Sequence, residues 1–153
     1  MLTCTKVIFE ILVLLRTLLN RGRVSLATQK EPRTIDRCGR RCVPRSFVSR
    51  AKDCNSKSKD VKDFLDRLTK IWHCLQTEGE DVFVVYEKCY CPLVKDYDQK
   101  LLPSFCNCSR GWIKELFEST LGKPVDVKLQ KSIRRGDNIR KNKVSRNEWN
   151  AFA

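Results

Sequence analysis

Residues 89–121 read CYCPLVKDYDQKLLPSFCNCSRGWIKELFESTL, and we expect the fold to be organised around them. This stretch contains two C-x-C pairs, Cys89/Cys91 and Cys106/Cys108. The preceding residues 81–88, DVFVVYEK, are rich in β-branched and aromatic side chains and predict a strand that runs into the first pair. The second pair leads directly into a helical pattern. A strand end and a helix start are therefore expected to meet, with four thiols between them.

The clearest helix outside this stretch is predicted over residues 58–75, with Ser58 as its N-cap. Its apolar residues recur at helical spacing and predict a stripe that faces the core: Val61, Phe64, Leu65, Leu68, Ile71, Trp72 and Leu75. The only histidine, His73, projects off this stripe, so we expect it either in solvent or in a cleft.

Two further elements complete the predicted fold. The helix over residues 109–121 ends at Gly122, which is followed closely by a proline, and Gly111 in its first turn permits close packing. Residues 125–133 alternate between apolar and polar side chains and predict a second strand. The predicted class is α+β: an antiparallel sheet packed by two main helices, 58–75 and 109–121, with an extra N-terminal helix.

The composition changes along the chain predict three regions. Residues 1–34 are expected to be an amphipathic helix followed by a linker, residues 35–138 a cysteine-rich α+β domain, and residues 139–153 a basic, disordered tail. The first region has no apolar run of the roughly 20 residues that cross a bilayer, and it lacks the pattern of a signal peptide. We therefore predict a cytoplasmic protein without a transmembrane segment. The N-terminal helix is expected to dock on the domain, on a second copy to give a homodimer, or on a membrane surface.

The net charge of +13 lies at the two ends of the chain. Residues 1–53 carry 12 Lys/Arg against 4 Asp/Glu, residues 54–130 carry 12 of each, and residues 131–153 carry 7 against 2. A domain that binds a duplex usually has its basic patch on the folded body. Because the central region is neutral, the sequence disfavours nucleic acid as a partner and restricts any such binding to the basic ends.

The nine cysteines have spacings that disfavour a disulfide framework, and three interpretations of them stay open. Four thiolates select zinc or an iron–sulfur cluster, and the metal ligands would then be Cys89, Cys91, Cys106 and Cys108, with Cys38 and Cys42 as further candidates. Alternatively, Cys106 or Cys108 is a catalytic nucleophile, because a helix N-terminus favours the thiolate. The third interpretation is a set of inert, buried cysteines. Gly39 and Pro44 predict a turn near Cys38 and Cys42.

The segment 86–137 resembles the C-terminal half of the 4-vinyl reductase domain superfamily. The resemblance rests on a strand ending at a cysteine, the pattern P-x-F-C-x-C-x-x-G-W opening a helix, L-G-K-P-V, a strand and a terminal R-G-D. The motifs C-Y-C-P-L and F-C-N-C-S-R-G-W are similar to those of uncharacterised prokaryotic domains described as like L-2-amino-thiazoline-4-carboxylic acid hydrolase. The resemblance implies a small α+β ligand-binding fold with cysteines at the positions of Cys38, Cys42, Cys89, Cys91, Cys106 and Cys108.

The end of the chain departs from that resemblance. The R-G-D turn should be followed by a cysteine and a closing strand of the form C-x-F-x-I, whereas Ile139 is followed here by RKNKVSRNEWNAFA. This ending has no cysteine and no apolar alternation. We therefore expect the closing strand to be missing or replaced, which would leave the strand at 125–133 with an unpaired edge.

The function predicted from these features is a cysteine-rich small-ligand or metal-binding domain of the sensory type, with a soft metal such as zinc bound by the paired C-x-C motifs. The alternative is a thiol-dependent hydrolase of a small C–N or C–S substrate, in which Cys106 or Cys108 attacks. Nucleic-acid binding through the basic ends is the third possibility.

Overall fold

The structure is a computed structural model, which describes residues 31–90, 103–133, 136–145 and 149. Over these residues it contains four helices and a four-stranded antiparallel sheet, and the predicted α+β class is confirmed. The predicted N-terminal helix before residue 31 and the loop with Cys91 lie outside the described residues. No helix in the described ranges has the length and apolar character that crossing a membrane requires.

The helices α1 (Glu31–Arg41), α2 (Arg45–Ser56) and α3 (Val61–Ile71) lead into a hairpin of β1 (Leu75–Glu78) and β2 (Asp81–Tyr86). A 3₁₀ turn, Pro103–Cys106, continues into α4 (Asn107–Leu121), which is followed by β3 (Val127–Lys131) and β4 (Arg140–Val144). The strand order is β1-β2-β4-β3, so the last strand is inserted between the two that precede it.

The core lies between the helices and one face of the sheet. Helix α4 is central, because it contacts α1, α2 and β3. The largest fully buried apolar side chains come from α3, α4 and the strands: Phe64, Leu68, Ile113, Leu116, Phe117, Val82, Val84, Val127 and Val144. The predicted stripe on α3 is therefore confirmed, and His73 is exposed to solvent.

The predicted helix 58–75 differs from α3 at both ends. Its N-cap is Asp60, whose side chain accepts a hydrogen bond of 2.8 Å from the backbone N–H of Asp63. Ser58 instead donates to the carbonyl of Cys54. At the other end, Trp72 leaves the helical conformation at φ −142° and ψ 85°, and the chain turns into β1. The two-residue turn of the hairpin contains Gly79 with φ +61°, a conformation that glycine adopts easily.

Of the two expectations for the closing strand, missing or replaced, the first is wrong. Residues 140–144, predicted to belong to a disordered tail, form β4 and pair with β2 on one side and β3 on the other. Strand β3 is thus paired along one edge, with a register shift between Leu129 and Lys131. The buried Trp149 adds its ring to the core, 5.2 Å from the ring of Phe117. The folded domain therefore continues beyond residue 138.

Helix α1 crosses α4 at a distance that only glycine permits. A Cβ atom on Gly39 would lie 1.9 Å from the carbonyl oxygen of Cys108, and one on Gly111 would lie 1.9 Å from the carbonyl oxygen of Asp36. The expected close packing at Gly111 is confirmed, whereas the turn expected at Gly39 is wrong because this residue lies inside α1. The contact fixes the first turn of α4.

Ion pairs reinforce the same crossing. Arg110 donates to the Asp36 carboxylate at 2.9 Å, and Arg40 donates to Glu118 at 2.6 Å and to Glu115 at 3.2 Å. Burial disfavours the charged form of Glu118, but hydrogen bonds from Arg40 and the backbone N–H of Val125, together with the charge of Arg40, hold its pKa below the ordinary value. Helix α1 therefore positions α4 along its length by both shape and charge.

Candidate functional site

The inward face of β4 carries two polar side chains. Strand alternation turns Arg140, Asn142 and Val144 towards the helices, and all three are buried. In the sheet register Arg140 lies opposite Tyr86, and Asn142 lies between Val84 and Leu129. A core-facing strand position is normally apolar, so this strand departs from the rule at two of its three inward positions.

Asn142 is fully buried, with 0% of its surface exposed. Neither its Nδ2 nor its Oδ1 has a hydrogen-bond partner within the described ranges. A buried polar group left without a partner destabilises a fold by about 1–3 kcal/mol, and native proteins rarely retain one without a reason. The amide of Asn142 can therefore still form hydrogen bonds with a group outside the described residues, such as a bound ligand.

Arg140 is buried to a similar degree, with 8% of its surface exposed. Its guanidinium carbon lies 4.4 Å from the centre of the Tyr86 ring, which places the cation over the aromatic face. Its Nε is buried and has no hydrogen-bond partner among the residues that the structure describes. Within the same residues, no carboxylate forms an ion pair with Arg140. A buried charge without a counter-ion is strongly unfavourable.

The groups around Arg140 are an aromatic hydroxyl and thiols. Burial raises the pKa of Tyr86, the charge of Arg140 opposes this rise, and Cys74 and Cys108 add to it. The pKa of the buried Cys74 thiol is also raised by burial, with Arg140 acting against the rise and Glu87 adding to it. Tyr86 and Cys74 are therefore neutral near pH 7, so neither balances the charge of Arg140.

The N-terminal end of α4 brings Cys106 to this part of the sheet. The Cys106 sulfur is buried, with 4% of the residue exposed, and it accepts a hydrogen bond of 2.8 Å from the hydroxyl of Ser132. Ser132 is fully buried and follows β3 directly. Its backbone N–H donates to the Asp137 carboxylate at 2.7 Å, and the N–H of Asp137 donates back to the Ser132 carbonyl. These two hydrogen bonds between Ser132 and Asp137 hold the residue whose hydroxyl contacts the thiol.

These groups together form a polar interior cluster at one end of the sheet, beneath the start of α4. We use this name for seven residues: Cys74, Tyr86, Cys106, Cys108, Ser132, Arg140 and Asn142. Arg140 supplies a full positive charge, and no carboxylate among the described residues pairs with it. The cluster is therefore positively charged, and Arg140 and Asn142 offer it unused hydrogen-bond donors.

The predicted site cysteines lie in different parts of the structure. Cys106 and Cys108 belong to the cluster, and Cys89 lies partly buried just after β2. Cys38 is buried in α1, whereas Cys42 is exposed beyond its end. In the parts of the chain that are described, no three His, Cys, Asp or Glu side chains come together in a way that could hold a metal ion. Zinc and iron–sulfur binding stay predictions.

Sequence reasoning missed Cys74 and all the non-cysteine members of the cluster. Tyr86 was part of a predicted strand, and Arg140 and Asn142 fell in the supposed tail. The available signal was the alternation R-x-N-x-V in residues 140–144, which is compatible with a strand once polar inward positions are allowed. Ser132 was predicted to face away from the apolar side of its strand, but the register shift in β3 brings it into the interior.

A separate surface groove lies at the opposite end of α4. It has a volume of about 360 Å³ and is lined by Lys114, Glu118, Pro124, Val125, Asp126, Lys128 and Ser145. Glu118 and Ser145 already bond to Arg40, Val125 and Asp126. The groove therefore offers fewer unsatisfied groups than the polar interior cluster.

Comparison with known proteins gives one match. Residues 23–149 match the model of a family of unknown function, DUF6144. Neither the curated proteins nor the solved structures contain a match to this chain. The comparisons do not connect it to the 4-vinyl reductase domain superfamily, and that resemblance stays a prediction.

Proposed function

Since the chain belongs to DUF6144, a family of unknown function, we propose its function from the site itself: a cysteine-rich domain that binds a small ligand at the polar interior cluster. The observation that carries the proposal is the fully buried amide of Asn142, which lacks partners among the described residues at both of its polar atoms. A binding site requires groups held ready for the ligand at the expense of stability in its absence. Asn142 has the properties of such a group.

The substitution Asn142→Leu tests this proposal through stability. Leucine has a similar volume and no polar atoms, so it removes the desolvation penalty and packs beside Val84 and Leu129. The ligand-free variant should be more stable than the natural chain by about 1–3 kcal/mol. Urea unfolding, followed by tryptophan fluorescence, measures the difference. A loss of more than about 1 kcal/mol would mean that the amide is satisfied inside the chain, and the proposal would fail.

The matched control is Asn55→Leu. The Nδ2 of Asn55 donates to the carbonyl of Thr120 at 3.5 Å, whereas its Oδ1 is buried without a partner among the described residues. The same chemical change therefore breaks one bond within the protein and removes one unsatisfied atom, so any gain in stability should be smaller than in Asn142→Leu. A ligand-dependent rise in melting temperature, found by screening small polar compounds, should be present in the Asn55 variant and weakened in the Asn142 variant.

Soft-metal binding is a second candidate, supported by the hydroxyl of Ser132 that donates to the Cys106 sulfur. Metal-bound thiolates commonly receive such hydrogen bonds. Zinc or an iron–sulfur cluster would need more thiolates than the described residues bring together. Stoichiometric metal in protein purified without oxygen, lost in both Cys106→Ser and Cys89→Ser, would support this candidate.

The hydrolase alternative rests on the same thiol. Cys106 directly precedes α4, and its sulfur accepts a hydrogen bond from the hydroxyl of Ser132, so a thiol nucleophile is held in one place. Its test is the rate of alkylation of each cysteine near neutral pH in metal-free protein. One thiol that reacts far faster than the others supports a nucleophile, whereas uniformly slow reaction contradicts it.

A further inference from the structure

We propose that the ligand of the polar interior cluster is a small carboxylate, whose charged group pairs with Arg140 in front of the first turn of α4. This inference rests on the proposed ligand-binding function and specifies the chemical class of the ligand. It starts from Arg140, whose buried guanidinium has no carboxylate partner within the described part of the chain and whose Nε is without a hydrogen bond there.

The charges that face Arg140 do not balance it. Tyr86 lies under the guanidinium as a neutral ring, and Cys74 is a buried thiol. Glu87 is exposed on the strand end, where solvent screens its charge. Asp137 bonds to the backbone N–H of Ser132. A guanidinium in this setting presents donors in a planar fork, which matches the two oxygens of a carboxylate.

The start of α4 also favours a negatively charged ligand. Cys106 is the N-cap residue of α4, and its sulfur accepts a hydrogen bond from Ser132. Ser132 follows Lys131, the register partner of Lys141, which is the neighbour of Arg140 on β4. The dipole of a helix attracts anions to its N-terminal end. This terminus belongs to a helix of 15 residues, and the buried Arg140 is a second, independent group that selects negative charge.

The spacing of the two unsatisfied residues limits the ligand. Arg140 and Asn142 occupy successive inward positions on β4, which places their Cα atoms about 7 Å apart. A ligand that satisfies both residues therefore needs a carboxylate for Arg140 and one further polar group for Asn142, such as a hydroxyl, carbonyl or amide. The cross-strand neighbours of Asn142 are apolar, Val84 on β2 and Leu129 on β3. One cation and one amide suit a single carboxylate better than a phosphate, which carries more charge.

The experiment uses the full chain and a matched set of probes. Small aliphatic and aromatic carboxylates, the corresponding primary amides, and inorganic sulfate and phosphate are added at millimolar concentrations, and the melting temperature and the dissociation constant are measured. We expect carboxylates to stabilise the chain and the amides to do so much less. Because truncating one member of a buried charge pair leaves the other charge unpaired, Arg140→Met should weaken carboxylate binding by about 30-fold or more. Arg140→Lys, which keeps the charge, should weaken it less.

The control variant is Lys128→Met, which removes an exposed cation of β3 and should leave binding unchanged. Equal binding of carboxylates and amides, or unchanged binding in Arg140→Met, would overturn the charge preference while leaving ligand binding intact. Failure of every carboxylate to stabilise the natural chain would also overturn it. A second measurement does not depend on the probes: the ligand-free Arg140→Met variant should be at least as stable as the natural chain. A marked loss of stability would mean that Arg140 has a structural counter-ion, which contradicts the proposal.

Discussion

The crossing of α1 and α4 can be tested with a single substitution, because Gly39 lies directly against the backbone of Cys108, a residue of the polar interior cluster. The substitution Gly39→Ala adds a Cβ that would lie 1.9 Å from the carbonyl oxygen of Cys108. An ordinary carbon–oxygen contact begins at about 3.4 Å, so the two helices would have to separate by about 1.5 Å. The obstructing atom belongs to the backbone, so no side-chain rotation relieves the clash.

The expected magnitude combines two opposing effects. Replacing glycine by alanine inside a helix is favourable by roughly 0.5–1 kcal/mol when nothing obstructs the methyl group. Overpacking at a tight contact typically costs about 1–3 kcal/mol, and more where a backbone must move. We therefore expect Gly39→Ala to lower the free energy of unfolding by about 2 kcal/mol, equivalent to a fall in melting temperature of about 4–8 °C for a chain of this size.

Urea unfolding at neutral pH measures this effect, with the m-value checked for a change in the denatured state. Arg37→Ala, at an exposed position of the same helix, serves as the control and should be nearly neutral. Gly111→Ala, which meets the carbonyl of Asp36 from the other helix, should destabilise the chain to a similar extent. A Gly39→Ala variant as stable as the natural chain would refute the close crossing.

Three further predictions concern stability. Arg40→Met should lower the free energy of unfolding by about 1–2 kcal/mol near neutral pH, since it breaks contacts with Glu118, Glu115 and Asp36. Because the pKa of Glu118 is lowered in the folded chain, this stabilisation is present above the ordinary value of 4.5 and is lost as the pH falls through the folded pKa. A stability difference between the two chains that persists in acid would contradict this prediction. Burial raises the pKa of Tyr86, so folding keeps the phenol neutral, and the natural chain should lose stability as the pH rises above the ordinary tyrosine value of 10.0. The Tyr86→Phe variant should lose less stability over the same range, as measured by urea unfolding on both sides of that pH. Trp149→Ala should cost about 3–5 kcal/mol, because it removes a buried ring that contacts Phe117, and a variant with an unchanged urea midpoint would show that residue 149 is outside the folded domain.

The sequence predicted α3 and α4 because apolar residues at helical spacing have few alternatives, whereas α1 fell partly in the predicted linker and was missed. The stripe on α3 and the glycine that ends α4, Gly122 with φ +69°, follow directly from local patterns. Strand β1 was missed because only Leu75 of its four residues is buried, which leaves no alternation to detect. The predicted helix was consequently extended through Leu75.

The site was predicted only in part, for a physical reason that concerns β4. The thiols of Cys106 and Cys108 could be singled out because helix starts and cysteines are visible locally. Strand detection, however, relies on apolar inward positions, and β4 places Arg140 and Asn142 there. The residues that make the cluster polar are therefore the same residues that concealed the strand. Tertiary pairing with β2 and β3 overrides this local pattern.

The central position of β4 also determines how the sheet can assemble. Its pairing with β2 joins residues such as Val84 and Asn142, which are far apart in the chain, and the intervening segment includes the whole of α4. Until β4 enters, the β1–β2 hairpin and β3 share no edge, so neither can extend the other. Such non-local closure slows folding because chain entropy must be lost before contacts form. We expect the sheet to form in one cooperative step, with the polar interior cluster completed only at the end of that step.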